Sequence, residues 1–177
     1  MTKTLSSHSI YSGRIFEVRV DEIREGEVEY RREIILHHGS AVIVPVFEDN
    51  TIALVRQYRH PAGKYLLEIP AGSLDLGESP ESGAKRELEE EIGVTAAKLE
   101  KIAEFYVSPG FLNEKMFVFL ATELTETNQN LESDELIEIE RLTFPHAFDL
   151  IRGGEIEDAK TIIGLLMAGP RVGFIFS

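Results

Sequence analysis

Three glutamates, Glu87, Glu90 and Glu91, stand three and four residues apart. At about 100° per residue, a helix gathers them on one side within roughly 100°, while Glu89 points away. Like charges four residues apart destabilise an isolated helix by about 0.2–0.5 kcal/mol, so a sequence selected for stability alone would pair them with lysine. A cation between them reverses that sign. Hard carboxylate oxygens suit Mg²⁺, with Mn²⁺ as a substitute; such ions keep several waters and accept phosphate oxygens from a substrate. The set points to phosphate chemistry. Its competitor is a solvated acidic helix face, since the stretch from Asp75 to Glu91 holds seven acids against Lys85 and Arg86.

These acids need a helix, and the sequence supplies one. Ser79 and Pro80 form an N-cap and first-turn pair, Glu81 complements the helix N-terminus, and Gly93 follows Ile92 as a stop, which predicts a helix over 80–92. Ala84, Leu88 and Ile92 give it an apolar stripe to lay on a sheet. The sheet is announced on both sides. Alternation from Gly13 through Val20, and again after Glu25-Gly26 to Leu36, predicts a two-stranded antiparallel ribbon. Ser40–Phe47 and Thr51–Tyr58 read as buried strands of a hairpin, and 61–77, punctuated by Pro70, Gly72 and Gly77, reads as a loop with short extended pieces. Strands are expected near 99–107, 115–123 and 136–142. Helices are expected near 145–152, ended by Gly153, and 156–167. The order implies an α/β chain of the α+β type, a mixed sheet sandwiched between helices.

Composition narrows the function classes. The chain has 177 residues and 43% apolar content, enough for one domain with a sizeable core. A formal charge of −13 argues against nucleic acid and against anionic membrane surfaces. The absence of cysteine removes disulfides, thiolate metal sites and cysteine nucleophiles, and it suits a reducing, cytoplasmic setting. No apolar run approaches the ~18–20 residues of a membrane span.

Taken with its flanks, the acidic helix reads Gly72, Glu78, Arg86-Glu87-Leu88, Glu90-Glu91, Gly93-Val94 at spacing G-x5-E-x7-R-E-U-x-E-E-x-G-U, U being aliphatic. This resembles the complete signature box of the Nudix hydrolases at all nine specified positions. A chance match is on the order of 10⁻⁶, which sets the solvated-face reading aside. The resemblance implies a Nudix fold in which the box, 72–94, lies as loop-helix-loop against a mixed sheet. It also implies hydrolysis of a nucleoside diphosphate linked to another moiety. By position it implies Glu87 and Glu91 as main metal ligands, Glu90 as a supporting ligand and catalytic group, and the carbonyl of Ala71 as a further ligand. Arg86 would brace the loop, and Glu78 would support it.

Outside the box, Pro109 stands 15 residues beyond Val94, and Ser108-Pro109-Gly110 resembles the downstream proline mark of the ADP-ribose pyrophosphatases. Arg31-Arg32-Glu33, Gln57-Tyr58-Arg59, Glu68-Ile69-Pro70-Ala71-Gly72 and Asp158-Ala159-Lys160-Thr161 resemble the same subfamily. The resemblance implies that Arg32, Glu33 and Arg59 meet the adenosine and pyrophosphate, with Glu114 on the terminal ribose. It places Glu135, after the loop 128–134, as a late catalytic or metal-binding acid, with Glu132 as the competing candidate. It implies a homodimer in which a ribbon domain, residues 1–39, reaches a neighbouring catalytic domain, 40–177. Phe16 is expected as a buried strand residue, with adenine stacking as the alternative. His37 and His38 are expected in a loop, and the aromatics of 169–177 pack on the body or on a partner.

The leading expectation is Mg²⁺-dependent cleavage of ADP-ribose to AMP and ribose 5-phosphate. Another nucleoside diphosphate sugar or a dinucleotide is the same-family alternative. A non-catalytic ADP-ribose-binding regulator would be signalled by lost box acids, and none is lost.

Overall fold

The computed structural model describes residues 1–131, 133 and 135–176. Contacts divide the chain into two compact units, Met1–Gly39 with Phe105–Met116, and Ser40–Glu104 with Phe117–Ser177.

The first unit is built on an antiparallel sheet of β1 (Thr2–Ser12), β2 (Glu17–Glu25) and β3 (Val28–Leu36), in that order. The ribbon is therefore three-stranded, not two-stranded. The extra strand carries little alternation; it pairs with β2 through the backbone ladder, from Thr2 opposite Glu25 to Ser12 opposite Glu17, and hydroxyls facing acids add to it: Ser7 Oγ donates to Asp21 Oδ1 at 2.5 Å and Ser6 Oγ to Glu22 Oε2 at 3.1 Å. The segment 105–116 joins β3 through the Ile35 N–H to the Phe111 carbonyl at 2.7 Å and the Asn113 N–H to the Ile35 carbonyl at 3.1 Å.

The second unit holds the rest of the chain. Its strands are β4 (Ser40–Pro45), β5 (Thr51–Arg59), β6 (Lys64–Glu68) and β7 (Ala71–Ser73), most of β8 (Val94–Tyr106) and β9 (Lys115–Glu126), and β10 (Ile137–Thr143). They form two sheets, β10-β5-β6 and β7-β4-β9-β8. The looser stretch 61–77 thus contains two paired strands, β6 on β5 and β7 on β4. β8 starts at Val94, five residues before the expected Leu99, because the chain leaves the helix stop straight into a strand. Low strand preference at Ala96, Ala97 and Lys98 hides that start.

The helices are α1 (Pro80–Ile92), α2 (Phe144–Gly153) and α3 (Ala159–Ala168). Ser79 caps α1 by accepting the Ser82 N–H at 3.1 Å. Gly93 closes it in the left-handed region, at φ 63°, with its N–H on the last-turn carbonyls. α2 ends one residue later than expected, with Gly154 as the left-handed cap, and α3 begins three residues later, capped by Asp158.

Strand alternation assigns each helix a face. Ala41 and Ile43 of β4, Ala53 and Val55 of β5, and Phe119 and Ala121 of β9 cluster with Ala84, Leu88 and Ile92 of α1. The intervening Val44 and Val118 lie on the opposite side, near Gly164 of α3, where an added Cβ would come within 3.3 and 3.7 Å of them. Mixed sheets between helices are thus the architecture. Burying Leu88 completely contributes about 1.5–3 kcal/mol and fixes the rotation of α1 about its axis.

Candidate active site

That rotation turns Glu87 and Glu91 inward, toward β7. Both are buried, at 7% and 3% exposure, while Glu89 faces solvent and Glu90 is half-buried. β7 comes so close that a Cβ on Gly72 would lie 1.9 Å from Glu87 Oε1. The absent side chain is the space the carboxylate occupies. Next to it, the Ala71 N–H donates to Glu91 Oε2 at 3.0 Å.

Arg86 ties the loop to the helix. Its Nε and Nη2 donate to the two Glu78 oxygens at 3.1 and 3.0 Å, and Nη2 also reaches the Ser73 carbonyl at 3.1 Å. Nη1 bridges Glu87 Oε1 at 2.7 Å and Glu90 Oε2 at 2.9 Å. Glu78 in turn accepts the Asp75 N–H at 3.0 Å. The hydrogen bonds from Arg86 hold the Glu78 carboxyl below the usual range, and Glu78 holds the guanidinium above its own.

The inward acids are electrostatically strained. Burial pushes Glu87 up to about 7 against the pull of Arg86, and the charges of Glu90 and Glu135 push the same way. Burial pushes Glu91 up to about 8, with repulsion from Glu87 and Glu135 adding to it and the Ala71 N–H opposing it. Glu135, two residues before β10, therefore lies within electrostatic reach of both box acids. Glu132, its competitor, lies outside the described residues, as do Asp134 and Ser177. Hard oxygen donors that resist ionisation because they are buried are a fitting donor set for a hard divalent cation. Among the described residues no three such groups already converge as a ready-made cage. Arg86 Nη1 instead supplies the positive charge between Glu87 and Glu90.

The loop leading to Glu135 is fastened to the end of α1. The Thr127 N–H donates to the Gly93 carbonyl at 2.7 Å, Gln129 Nε2 to the Glu91 carbonyl at 2.6 Å, and the Asn130 N–H to the Glu90 carbonyl at 3.0 Å. These are last-turn carbonyls that a helix leaves unpaired. Gly93 permits the approach, since a Cβ there would come within 2.7 Å of the Gln129 nitrogen. No motif marks Gln129 or Asn130, and the sequence reading missed them.

Arg59 closes β5 in the same unit. Its Nε and Nη2 form a bidentate pair with Glu68 at 2.8 Å each, and Glu68, 1% exposed, also accepts from Lys160 of α3. Burial alone would raise the Glu68 carboxyl, but the Arg59 hydrogen bond and the Lys160 charge outweigh it and hold it below the usual range. Two residues back along β5, Gln57 buries its side-chain oxygen with no hydrogen-bond partner among the described residues.

The family described as NUDIX domain matches residues 36–163. The chain belongs to the Nudix family. An ADP-ribose pyrophosphatase of Bacillus subtilis (strain 168) is 42% identical over 163 residues, covering 90% of this chain and 88% of that protein. A methanol dehydrogenase activator of Bacillus methanolicus is 36% identical over 167 residues, covering 92% and 90%. A crystal structure of an ADP compounds hydrolase superposes with a TM-score of 0.84 over 97% of this chain and 94% of that one, at 23% identity, and shares the fold.

The Nudix box acids, Arg86, Ala71, Arg59 and Glu135 all belong to the second unit. Arg32, Glu33, Pro109 and Glu114 belong to the first. Arg32 stacks its guanidinium 4.2 Å from the Tyr30 ring centre, and Glu33 is exposed on β3. Pro109 sits in a turn closed by the Phe111 and Leu112 N–H groups on the Ser108 carbonyl, and Glu114 Oε1 lies 3.9 Å from His37 Nδ1. Phe16 is not buried: it sits in the β1–β2 connection at 39% exposure, beside Tyr11, and borders a cavity of about 330 Å³ with Arg14 and His37. His37 and His38 lie in a loop, where His37 Nδ1 accepts the Gly39 N–H at 3.0 Å. At the C-terminus Phe174 stacks on Phe144 and Phe176 packs edge-on against Phe148, so these aromatics pack on the body of their own unit.

Proposed function

We propose that the protein hydrolyses the pyrophosphate bond of ADP-ribose, giving AMP and ribose 5-phosphate, with Mg²⁺ as the working cation and Mn²⁺ as a substitute. One observation carries the reading: Glu87 and Glu91 are buried side by side against a glycine-lined strand, where burial holds both carboxyls above their ordinary range, in a chain 42% identical to an ADP-ribose pyrophosphatase. Glu87 and Glu91, with Glu90, Glu135 and the Ala71 carbonyl, would hold the cation, which supplies Lewis acidity and a hydroxide-like water. Hydrolysis would add a water to one phosphorus and break the bridging P–O bond, the released oxygen leaving as a phosphate oxygen of the other product. Glu135 takes the water's proton in this reading, while Arg86 keeps the loop and acids in register. Arg59 meets the pyrophosphate, Arg32 and Glu33 the adenosine, and Glu114 the terminal ribose, with Pro109 shaping its loop.

The assignment extends to assembly. Residues 1–39 are proposed as a dimerisation ribbon and 40–177 as the catalytic domain, in a cytoplasmic homodimer. The ribbon's exposed Leu5, Ile10, Ile15 and Val28 support this part, since a small sheet with uncovered apolar residues gains from a partner. Sedimentation at micromolar concentration checks it, and a fully active monomer refutes it. Among the described residues no helix is long and apolar enough to cross a membrane.

Product analysis on ADP-ribose, beside nucleoside triphosphates, other sugar nucleotides and dinucleotides, with and without Mg²⁺, tests the function. AMP and ribose 5-phosphate appearing only with cation is the expected result. Turnover confined to another substrate would move the assignment within the family. ADP-ribose binding without turnover would favour a second reading, regulation of another enzyme, toward which the 36% identical methanol dehydrogenase activator points.

A further inference from the structure

Arg59 leaves one edge uncommitted. Nε and Nη2 are spent on Glu68, while Nη1 makes no hydrogen bond among the described residues and the side chain is 38% exposed. The groups behind it are buried. Glu68 is 1% exposed and the Lys160 side chain 10%, and Glu68 Oε2 is shared between Arg59 Nη2 and Lys160 Nζ.

Lys160 is itself fixed. Asp158 accepts Lys160 Nζ on Oδ1 at 3.0 Å, while its Oδ2 accepts the Thr161 N–H at 2.9 Å and the Thr161 hydroxyl at 2.5 Å. The same hydroxyl accepts the Ile69 N–H at 2.9 Å, which ties the start of α3 to the residue after Glu68. The N-terminus of α3 helps to stabilise the Asp158 charge, so Lys160 is not wholly neutralised by Asp158 and can share Glu68. A chain of fixed groups therefore runs Thr161, Asp158, Lys160, Glu68, Arg59.

Stability alone gives weak reason for such a chain. Burying ions costs several kcal/mol each, and well-packed apolar residues of similar volume are often as stabilising. What the chain does achieve is orientation: a bidentate carboxylate locks the guanidinium plane, and the third donor locks the carboxylate. Two cations around Glu68 also keep its charge from cancelling that of Arg59. We propose that Lys160 and Glu68 are positioning residues that hold the Arg59 fork with its free Nη1 edge turned to the substrate's pyrophosphate. This rests on the hydrolase reading above, in which Arg59 meets that group.

The test is a double-mutant cycle between Lys160→Met and Arg59→Ala, with Lys160→Gln as a second probe of the lysine. KM and kcat are measured on ADP-ribose, and ADP-ribose affinity is measured by calorimetry in EDTA, where turnover plays no part. Lys160→Met and Lys160→Gln should each raise KM and the metal-free Kd about tenfold, with kcat changed less than threefold, and Arg59→Ala should raise both by at least that much. In the Arg59→Ala background, Lys160→Met should add less than twofold, since the group it positions is gone. An equal tenfold effect in both backgrounds overturns the proposal, as does a change in kcat alone. Failure of both lysine variants to fold, read by thermal melting, would assign Lys160 to stability and overturn it too. A wild-type protein that neither binds nor cleaves ADP-ribose refutes the function and the positioning role with it. Normal wild-type turnover with silent lysine variants refutes positioning alone.

Discussion

Gly72→Ala separates the stability of the box from its chemistry. Gly72 does not lie in the left-handed region, so alanine meets no backbone strain there, and its cost is purely one of space. The new Cβ would lie 1.9 Å from Glu87 Oε1 and 2.1 Å from its Cδ, whereas ordinary contact begins at 3.4 Å, so the carboxylate must retreat by about 1.5 Å. The group in the way is the end of a flexible side chain, and a modest overpacking cost of about 1 kcal/mol follows, or roughly 2–4 °C in Tm for a chain of this size. The site tolerates far less. Displacing a charge-bearing ligand by more than 1 Å costs on the order of 10²-fold in rate, and Glu87 would also have to loosen its 2.7 Å bond to Arg86. Melting curves and initial rates on ADP-ribose at saturating Mg²⁺ should show a protein folded within a few degrees of wild type with kcat/KM down at least a hundredfold. Rates within threefold of wild type would refute the close-packing account of the site.

Other expectations follow from the same geometry. Glu87→Gln and Glu91→Gln should each abolish most turnover without loss of fold, and each should raise metal-free stability by removing a buried repulsion, as melting in EDTA will report. In EDTA, stability should fall as pH rises. The folded values of Glu87 and Glu91, about 7 and about 8, exceed the ordinary 4.5, so the folded state binds more protons, and their stabilising contribution is full below about 4.5 and lost on passing about 8. For Glu87 alone, raised from 4.5 to about 7, the loss is on the order of 3 kcal/mol, and Mg²⁺ titrated in at pH 8 should restore it with release of protons. Glu135→Gln should lower kcat by about 10²–10⁴-fold with little change in ADP-ribose affinity; if Glu132→Gln alone has that effect, the base is the other acid.

Much of this structure is written in short-range chemistry. Ser79, Pro80 and Gly93 set the bounds of α1 because caps act within a turn, and the spacing of Ala84, Leu88 and Ile92 determined which side of α1 is buried. β1 escaped notice because it is held by the backbone ladder to β2 while both its faces stay exposed, which leaves no apolar period in the chain. The inward turn of Glu87 and Glu91 was legible as a cluster, but their raised proton affinities were not, since these depend on the proximity of β7. Gln129 and Asn130 take their significance from partners 38 and 40 residues distant, beyond the reach of local pattern; Glu68 and Lys160 stand in stretches that resemble the subfamily, but their pairing across 92 residues leaves no local mark.

The fastening of Thr127, Gln129 and Asn130 to the end of α1 sets a leash length. From Asn130, held on the Glu90 carbonyl, to Glu135 the chain can span at most about 17 Å, at 3.3–3.6 Å per residue. The loop acid can travel only within a sphere centred on the helix that carries the other acids. Removing two of the intervening residues would shrink that sphere by about 7 Å. The length of chain between Asn130 and Glu135 thereby bounds the reach of the acid, and the bound is imposed by three hydrogen bonds at its root.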